Sequence, residues 1–143
     1  MLRTVLTGGA LIALVCGCGS GGKTAPVSGI VKLNGKPTAD IAVTFDPVAP
    51  DGKNTTGTSA FGVTGADGRY TVKLIGTETK GATVGKNFVR FTGHTEFTDM
   101  SEEALNKAKP KVNIPIRYWS ESKIEFDVPP NGSSSADFEL KSP

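Results

Sequence analysis

The stretch Phe61-Gly-Val-Thr-Gly-Ala-Asp67-Gly68-Arg-Tyr70-Thr-Val72-Lys-Leu74 carries the fold class. Phe61 and Val63 precede the turn pair Asp67-Gly68, and Tyr70, Val72 and Leu74 alternate with polar residues after it. Period-two alternation on both sides of an Asp-Gly pair predicts a β-hairpin with one buried face. The same pattern repeats outward. Val27, Gly29, Val31 and Leu33 alternate up to Asn34-Gly35. Ile41, Val43 and Phe45 lead into a polar loop from Pro47 to Thr58. Val89 and Phe91 close a segment after Gly85, Ile124, Phe126 and Val128 run up to Pro129-Pro-Asn-Gly132, and Phe138 and Leu140 end the pattern. Segments this short at this spacing predict an all-β domain over 26–143, a seven-stranded antiparallel β-sandwich. One segment differs. Asp99-Met-Ser-Glu102 reads as a capping box, and Glu103 to Lys109 continue a helix until Pro110 stops it, which predicts one short inserted helix.

Composition bounds the function. The chain has 143 residues, enough for one domain, and its 16 Lys+Arg against 14 Asp+Glu leave a net charge of +2. That balance is not the footprint of a nucleic-acid binder. One His and two Cys exclude most metal and nucleophile chemistries.

Both cysteines lie near the start. Arg3 precedes an apolar run from Val5 to Val15, broken by Thr7-Gly-Gly9. A spanning helix needs about 20 apolar residues, so this run predicts a signal peptide over 1–17. Leu14-Val-Cys-Gly17-Cys18 resembles a bacterial lipobox, with Val15 three places before Cys18. The resemblance implies cleavage between Gly17 and Cys18, a diacylglycerol thioether on Cys18 and an acylated amino terminus. More than one acyl chain gives stable membrane anchoring. Gly19 after the cysteine, by resemblance to bacterial sorting, implies an outer membrane, at its periplasmic face or the cell surface, over an inner one. Residues 18–25 then read as the lipidated Cys and a flexible Gly/Ser tether, whose seven residues from Gly19 to Ala25 reach about 25 Å at most.

Gly17 to Thr24 also matches the letters of a phosphate-binding loop, G-x-x-x-x-G-K-[ST]. That loop needs a strand before it and a helix after it, and here an export segment precedes and Ala25-Pro26 follow. A nucleotide site is rejected, and no cofactor is expected.

Val27-Ser-Gly-Ile-Val-Lys-Leu-Asn-Gly-Lys-Pro37, Ala42-Val-Thr-Phe45, Thr64-Gly-Ala-Asp-Gly-Arg-Tyr-Thr-Val72 and Gly85-Lys-Asn-Phe-Val-Arg-Phe91 together resemble a carboxypeptidase-regulatory-like, transthyretin-like (prealbumin-like) domain. Ile114-Pro-Ile-Arg-Tyr118, Ile124-Glu-Phe-Asp-Val128 and Asp137-Phe-Glu-Leu140 are similar to the tails of small lipoproteins of this kind. Asn87 stands where the family has Tyr, and the insert from Thr92 to Val112 is longer than a simple hairpin. The resemblance implies a Greek-key sandwich without intrinsic catalysis, serving as a folding, adhesion or binding module.

The residues themselves offer little chemistry. His94 is the only imidazole, which leaves no paired His, and no G-x-S-x-G element exists to carry a triad with it. Asp46/Asp51 and Glu102/Glu103 pair carboxylates, but the Asp-Gly pairs at Asp51 and Asp67 read as turns, and no D-x-D-x-D loop supplies the six to eight oxygens of a Ca²⁺ site. Lys32 and Asp137 invite an isopeptide crosslink, yet both fall out of phase with the apolar positions beside them. Three aromatics remain as binding candidates: Trp119 and Tyr118 beside Arg117, and Phe88, which is out of phase with Val89 and Phe91. Read as a whole, the sequence predicts a membrane-anchored, non-catalytic lipoprotein, a binding or structural module of the cell envelope. Its partners would be membrane lipid through acylated Cys18 and an envelope protein or a glycan. The alternative is a carbohydrate-binding module that presents those aromatics.

Overall fold

A computed structural model describes residues 22–53, 55–95, 103 and 109–143. The proposed signal segment, Gly17, Cys18 and nearly all of the expected inserted helix lie outside the described residues.

The architecture is all-β. Eleven short strands occur among the described residues: β1 Thr24–Ala25, β2 Ser28–Leu33, β3 Lys36–Pro37, β4 Ile41–Pro47, β5 Ala60–Val63, β6 Arg69–Thr71, β7 Lys73–Leu74, β8 Ala82–Thr83, β9 Gly85–Gly93, β10 Ile124–Val128 and β11 Phe138–Leu140. One 3-10 turn, Ile116–Tyr118, follows Pro115. The largest sheet runs β10-β9-β4-β5-β7, and its described pairings are antiparallel. A second sheet centres on β2, with β11 on one edge and β3 and β6 along the other. Thr24 and Ala25, read from sequence as the end of the tether, pair with Thr83 and Ala82.

Side chains from both sheets meet in one core. Val31 and Leu140 come from one sheet, and Ile41, Val43, Phe45, Val89, Phe91 and Val128 from the other, all nearly inaccessible. Phe45 lies 5.9 Å from Phe126, 6.3 Å from Phe138 and 6.5 Å from Tyr70 between ring centroids. Such tilted and edge-on pairs add about 0.5–1.5 kcal/mol each beyond area burial.

Local turn chemistry follows the sequence. Asn34 and Gly35 both adopt positive φ, 53° and 80°, as a two-residue hairpin turn requires, and Leu33 pairs with Lys36 across it. The Asp67-Gly68 turn also forms, with Gly68 at φ 72°.

The expected hairpin around that turn is split between the sheets. Ala60 and Phe61 pair with Leu74 and Lys73, but Arg69–Thr71 pair with Ser28, Gly29 and Ile30 of β2. The handover sits at Val31. Its carbonyl accepts the Thr38 N–H just past β3, its own N–H donates to the Gly68 carbonyl, and β6 occupies the β2 edge beyond it. Val72 makes the crossing. Its N–H donates to the Val27 carbonyl and its own carbonyl accepts from Gly81.

A second difference concerns β11, which runs parallel to β2, with Phe138 opposite Val31 and Leu140 opposite Leu33. The expected all-antiparallel arrangement therefore fails at this pair. After β10 the chain turns at Pro129 to Gly132, leaves the large sheet and enters alongside β2 at Ser133 in the same direction.

Tyr70 ties these strands together. It stands opposite Gly29 on β2, and its hydroxyl donates to the Ala136 carbonyl at 2.7 Å. A Cβ on Gly29 would lie 1.9 Å from that same oxygen, so the approach requires glycine.

Candidate functional site

The outer side of β9 repeats every second residue: Phe88, Arg90, Thr92. On neighbouring β4, Asp46 stands opposite Phe88 and Thr44 opposite Arg90. Asp46 and Arg90 are thus diagonal neighbours, and Arg90 Nε reaches Asp46 Oδ2 at 2.5 Å. The other carboxylate oxygen accepts from Ser59 Oγ at 2.6 Å. Asp46 is buried, with a side chain 8% exposed, so its charge is held by these two partners, while Arg90 stays 47% exposed.

The chain from Pro115 to Ser122 lays an aromatic beside this pair. The Trp119 and Ser120 N–H groups both donate to the Ile116 carbonyl, continuing the 3-10 turn. Ser122 Oγ donates to the Val89 carbonyl at 2.5 Å and fixes the segment against β9. Trp119 is left 43% exposed. It borders a cavity of about 400 Å³ together with Phe88, Arg90, Asp46, Thr55, Ser120 and Ser122. On its other flank lies a second hollow of about 310 Å³, walled by Pro110, Val112 and Ile114.

Of the three aromatics singled out in the sequence, two come together. Trp119 and Phe88 share the cavity. Tyr118 does not. Its hydroxyl accepts from the Lys141 N–H at 3.0 Å, and Arg117 lies over its ring at 4.9 Å while bonding the Lys141 carbonyl. The Lys141 N–H holds the phenol below its ordinary value. Tyr118 therefore clamps the end of β11 and does not face the cavity. Asp46, Arg90 and the serines were not singled out as binding residues. The available signal was a pair of opposite charges, each out of phase within an apolar strand.

The remaining candidates have local roles. Asp51 and Asp67 accept N–H bonds from residues two further on, Lys53 and Arg69, as turn aspartates do. The Asp137 carboxylate accepts the Ile30 N–H at 2.8 Å, and Lys32 stands opposite Glu139, so Lys32 and Asp137 are not set up for a crosslink. The His94 N–H donates to the Asp40 carbonyl. Buried Asn87, in the place where the resembled family has Tyr, donates through Nδ2 to the Thr83 and Gly85 carbonyls and pins the turn into β9. Among the described residues there is no group of three or more His, Cys, Asp and Glu that could hold a metal ion. No helix among them is long and apolar enough to cross a membrane.

An exposed indole over a fixed Asp–Arg pair, with hydroxyls on the rim, can stack on a flat apolar face and exchange hydrogen bonds beside it. In the searches of protein-family models, curated proteins and solved structures, nothing matches this chain.

Proposed function

We propose that this chain is a lipid-anchored, non-catalytic binding module of the bacterial cell envelope. Its body would be a Greek-key β-sandwich of the carboxypeptidase-regulatory-like kind, and its ligand would dock on the outer side of β9. One observation carries the binding reading: Trp119 stands exposed at a cavity that the Asp46–Arg90 pair also lines. A buried carboxylate clamped by a guanidinium and a hydroxyl is a fixed recognition element, not a free base. The anchor reading rests on Cys18 and the apolar run before it. It holds the module at a membrane, at the periplasmic face of the outer membrane or on the cell surface.

Trp119 is the only tryptophan, so intrinsic fluorescence reports on this site directly. An envelope protein that docks here shifts that emission, and Trp119→Ala and Arg90→Ala each abolish its capture. Capture unaffected by both substitutions refutes the site. For the anchor, radiolabelled palmitate marks the wild type and spares Cys18→Ser. Equal labelling of the two defeats it.

A glycan is the second reading, favoured by the indole lying next to Asp46, Arg90, Ser120 and Ser122. Aromatic stacking with flanking hydrogen bonds suits a pyranose ring. Soluble glycans would then quench Trp119 in a saturable way. No quench across a broad panel removes this reading and leaves the protein partner.

A further inference from the structure

The far edge of the large sheet has a different character. Because the chain crosses between sheets at Val72, only Ala60 and Phe61 of β5 pair with β7, and Gly62 and Val63 border an opening. The opening is a mostly apolar groove of about 470 Å³, walled by Val27, Phe61, Val63 and Val72. Beside it the turn at Gly76 lifts Ile75 into solvent at 54% exposure. Phe61 and Lys73 border both the groove and the shallower hollow under Ile75.

Cations rim this surface. Lys73 and Lys80 line the groove and stand opposite each other across an isolated β-bridge. Like charges in register repel, so the fold gains nothing from placing them together. Lys23, also exposed, lies away from this rim, its carbonyl accepting from the Val84 N–H just ahead of β9. The acidic side chain at this edge, Glu78, forms a surface pair with Lys73 at 3.3 Å.

The described chain begins at Gly22, against Thr83, and reaches this groove four residues on at Pro26. Ala25 lies against Gly81, and Pro26 lines the groove. Cys18 is four residues before Gly22, so about 14 Å is the furthest it can lie from that point. β9 lies three strand spacings from β7, about 14 Å across the sheet.

We infer that the β5–β7 edge, with its groove, Ile75 and the facing lysines Lys73 and Lys80, is the face that sits on an anionic phospholipid bilayer. Phe61 and Ile75 meet the acyl boundary while Lys73 and Lys80 meet headgroup phosphates. The outer side of β9, with Trp119, is thereby held off the lipid. The anchor reading supplies only the tether; the surface belongs to folded residues and is testable without it.

The full-length Cys18→Ser protein is mixed with vesicles of equimolar phosphatidylcholine and phosphatidylglycerol, or of phosphatidylcholine alone, and sedimented. It binds the anionic vesicles, weakly and less so in salt. Lys73→Glu with Lys80→Glu lowers that binding about tenfold or more, as expected for cations near a charged surface. In a Trp119→Phe background, Ile75→Trp is quenched by brominated phospholipid, whereas native Trp119 is not. Equal sedimentation with both vesicle types, or quenching of Trp119 but not of Ile75→Trp, overturns the inference. So does a concentration-dependent dimer that buries Ile75→Trp in the absence of lipid. Failure of palmitate labelling defeats the anchor and leaves these outcomes unchanged.

Discussion

Replacing Tyr70 by Phe removes one hydroxyl from a place where its absence is felt. The Tyr70 hydroxyl donates at 2.7 Å to the carbonyl of Ala136, a residue with no exposed surface. The ring itself stays, since Phe keeps its packing against Phe45. What is lost is a hydrogen bond to a carbonyl that water does not reach, a cost of about 1–2 kcal/mol near neutral pH. The same burial, with Asp137 nearby, pushes the phenol far above its ordinary value of 10.0. Unfolded, it ionises near its ordinary value; folded, it stays neutral. A group whose folded value is raised stabilises fully below the unfolded value and loses that contribution as pH rises past it. At about pH 11 the loss amounts to roughly 1.4 kcal/mol. Urea unfolding of wild type and Tyr70→Phe in parallel, from neutral to alkaline pH, isolates this group, because lysines and Tyr118 titrate alike in both. The wild type leads by about 1–2 kcal/mol at neutral pH, and the lead shrinks to within about 0.5 kcal/mol of zero near pH 11. A neutral-pH difference under about 0.3 kcal/mol, or a lead that does not change with pH, refutes the reasoning.

Gly29→Ala places a methyl 1.9 Å from the Ala136 oxygen and costs about 1–3 kcal/mol or more, read as a lowered denaturation midpoint. Phe45→Ala empties the centre of the aromatic cluster and costs about 3–5 kcal/mol in the same assay. Arg90→Ala leaves the buried Asp46 carboxylate with Ser59 as its partner among the described residues, costing about 1–2 kcal/mol, and Asp46→Asn in the Arg90→Ala background recovers part of that loss in urea titrations.

The readable parts of this chain were those decided by neighbours in sequence. Asn34-Gly35 turns the chain because those two residues tolerate positive φ, and the alternation of Ile41, Val43 and Phe45 marks the buried face of β4 directly. The path of residues 69–74 was not readable in this way. It depends on β3 leaving the β2 edge after Thr38, some thirty residues earlier, so that Val31 passes from Thr38 to Gly68 as partner. The direction of β11 depends likewise on which edge of β2 was free once the other was taken. At the candidate site, Trp119 and Phe88 stood out by type and phase. Their polar floor did not, because Asp46 and Arg90 are 44 residues apart and meet only through the register of β4 on β9. Tyr118, adjacent to Trp119, was drawn the other way by a partner, Lys141, at the far end of the chain.

The parallel ladder of β2 and β11 also determines how the protein bears load. β2 is entered at Ser28, and the described chain passes the far end of β11, with Asn34 and Ser142 bonded side chain to side chain beyond the last rung. Tension between Ser28 and Lys141 therefore runs lengthwise along the ladder. Its hydrogen bonds are strained in shear, all together, instead of being unzipped one after another. Pulled ahead of β2 and beyond β11, the domain thus resists extension with every rung of that seam at once.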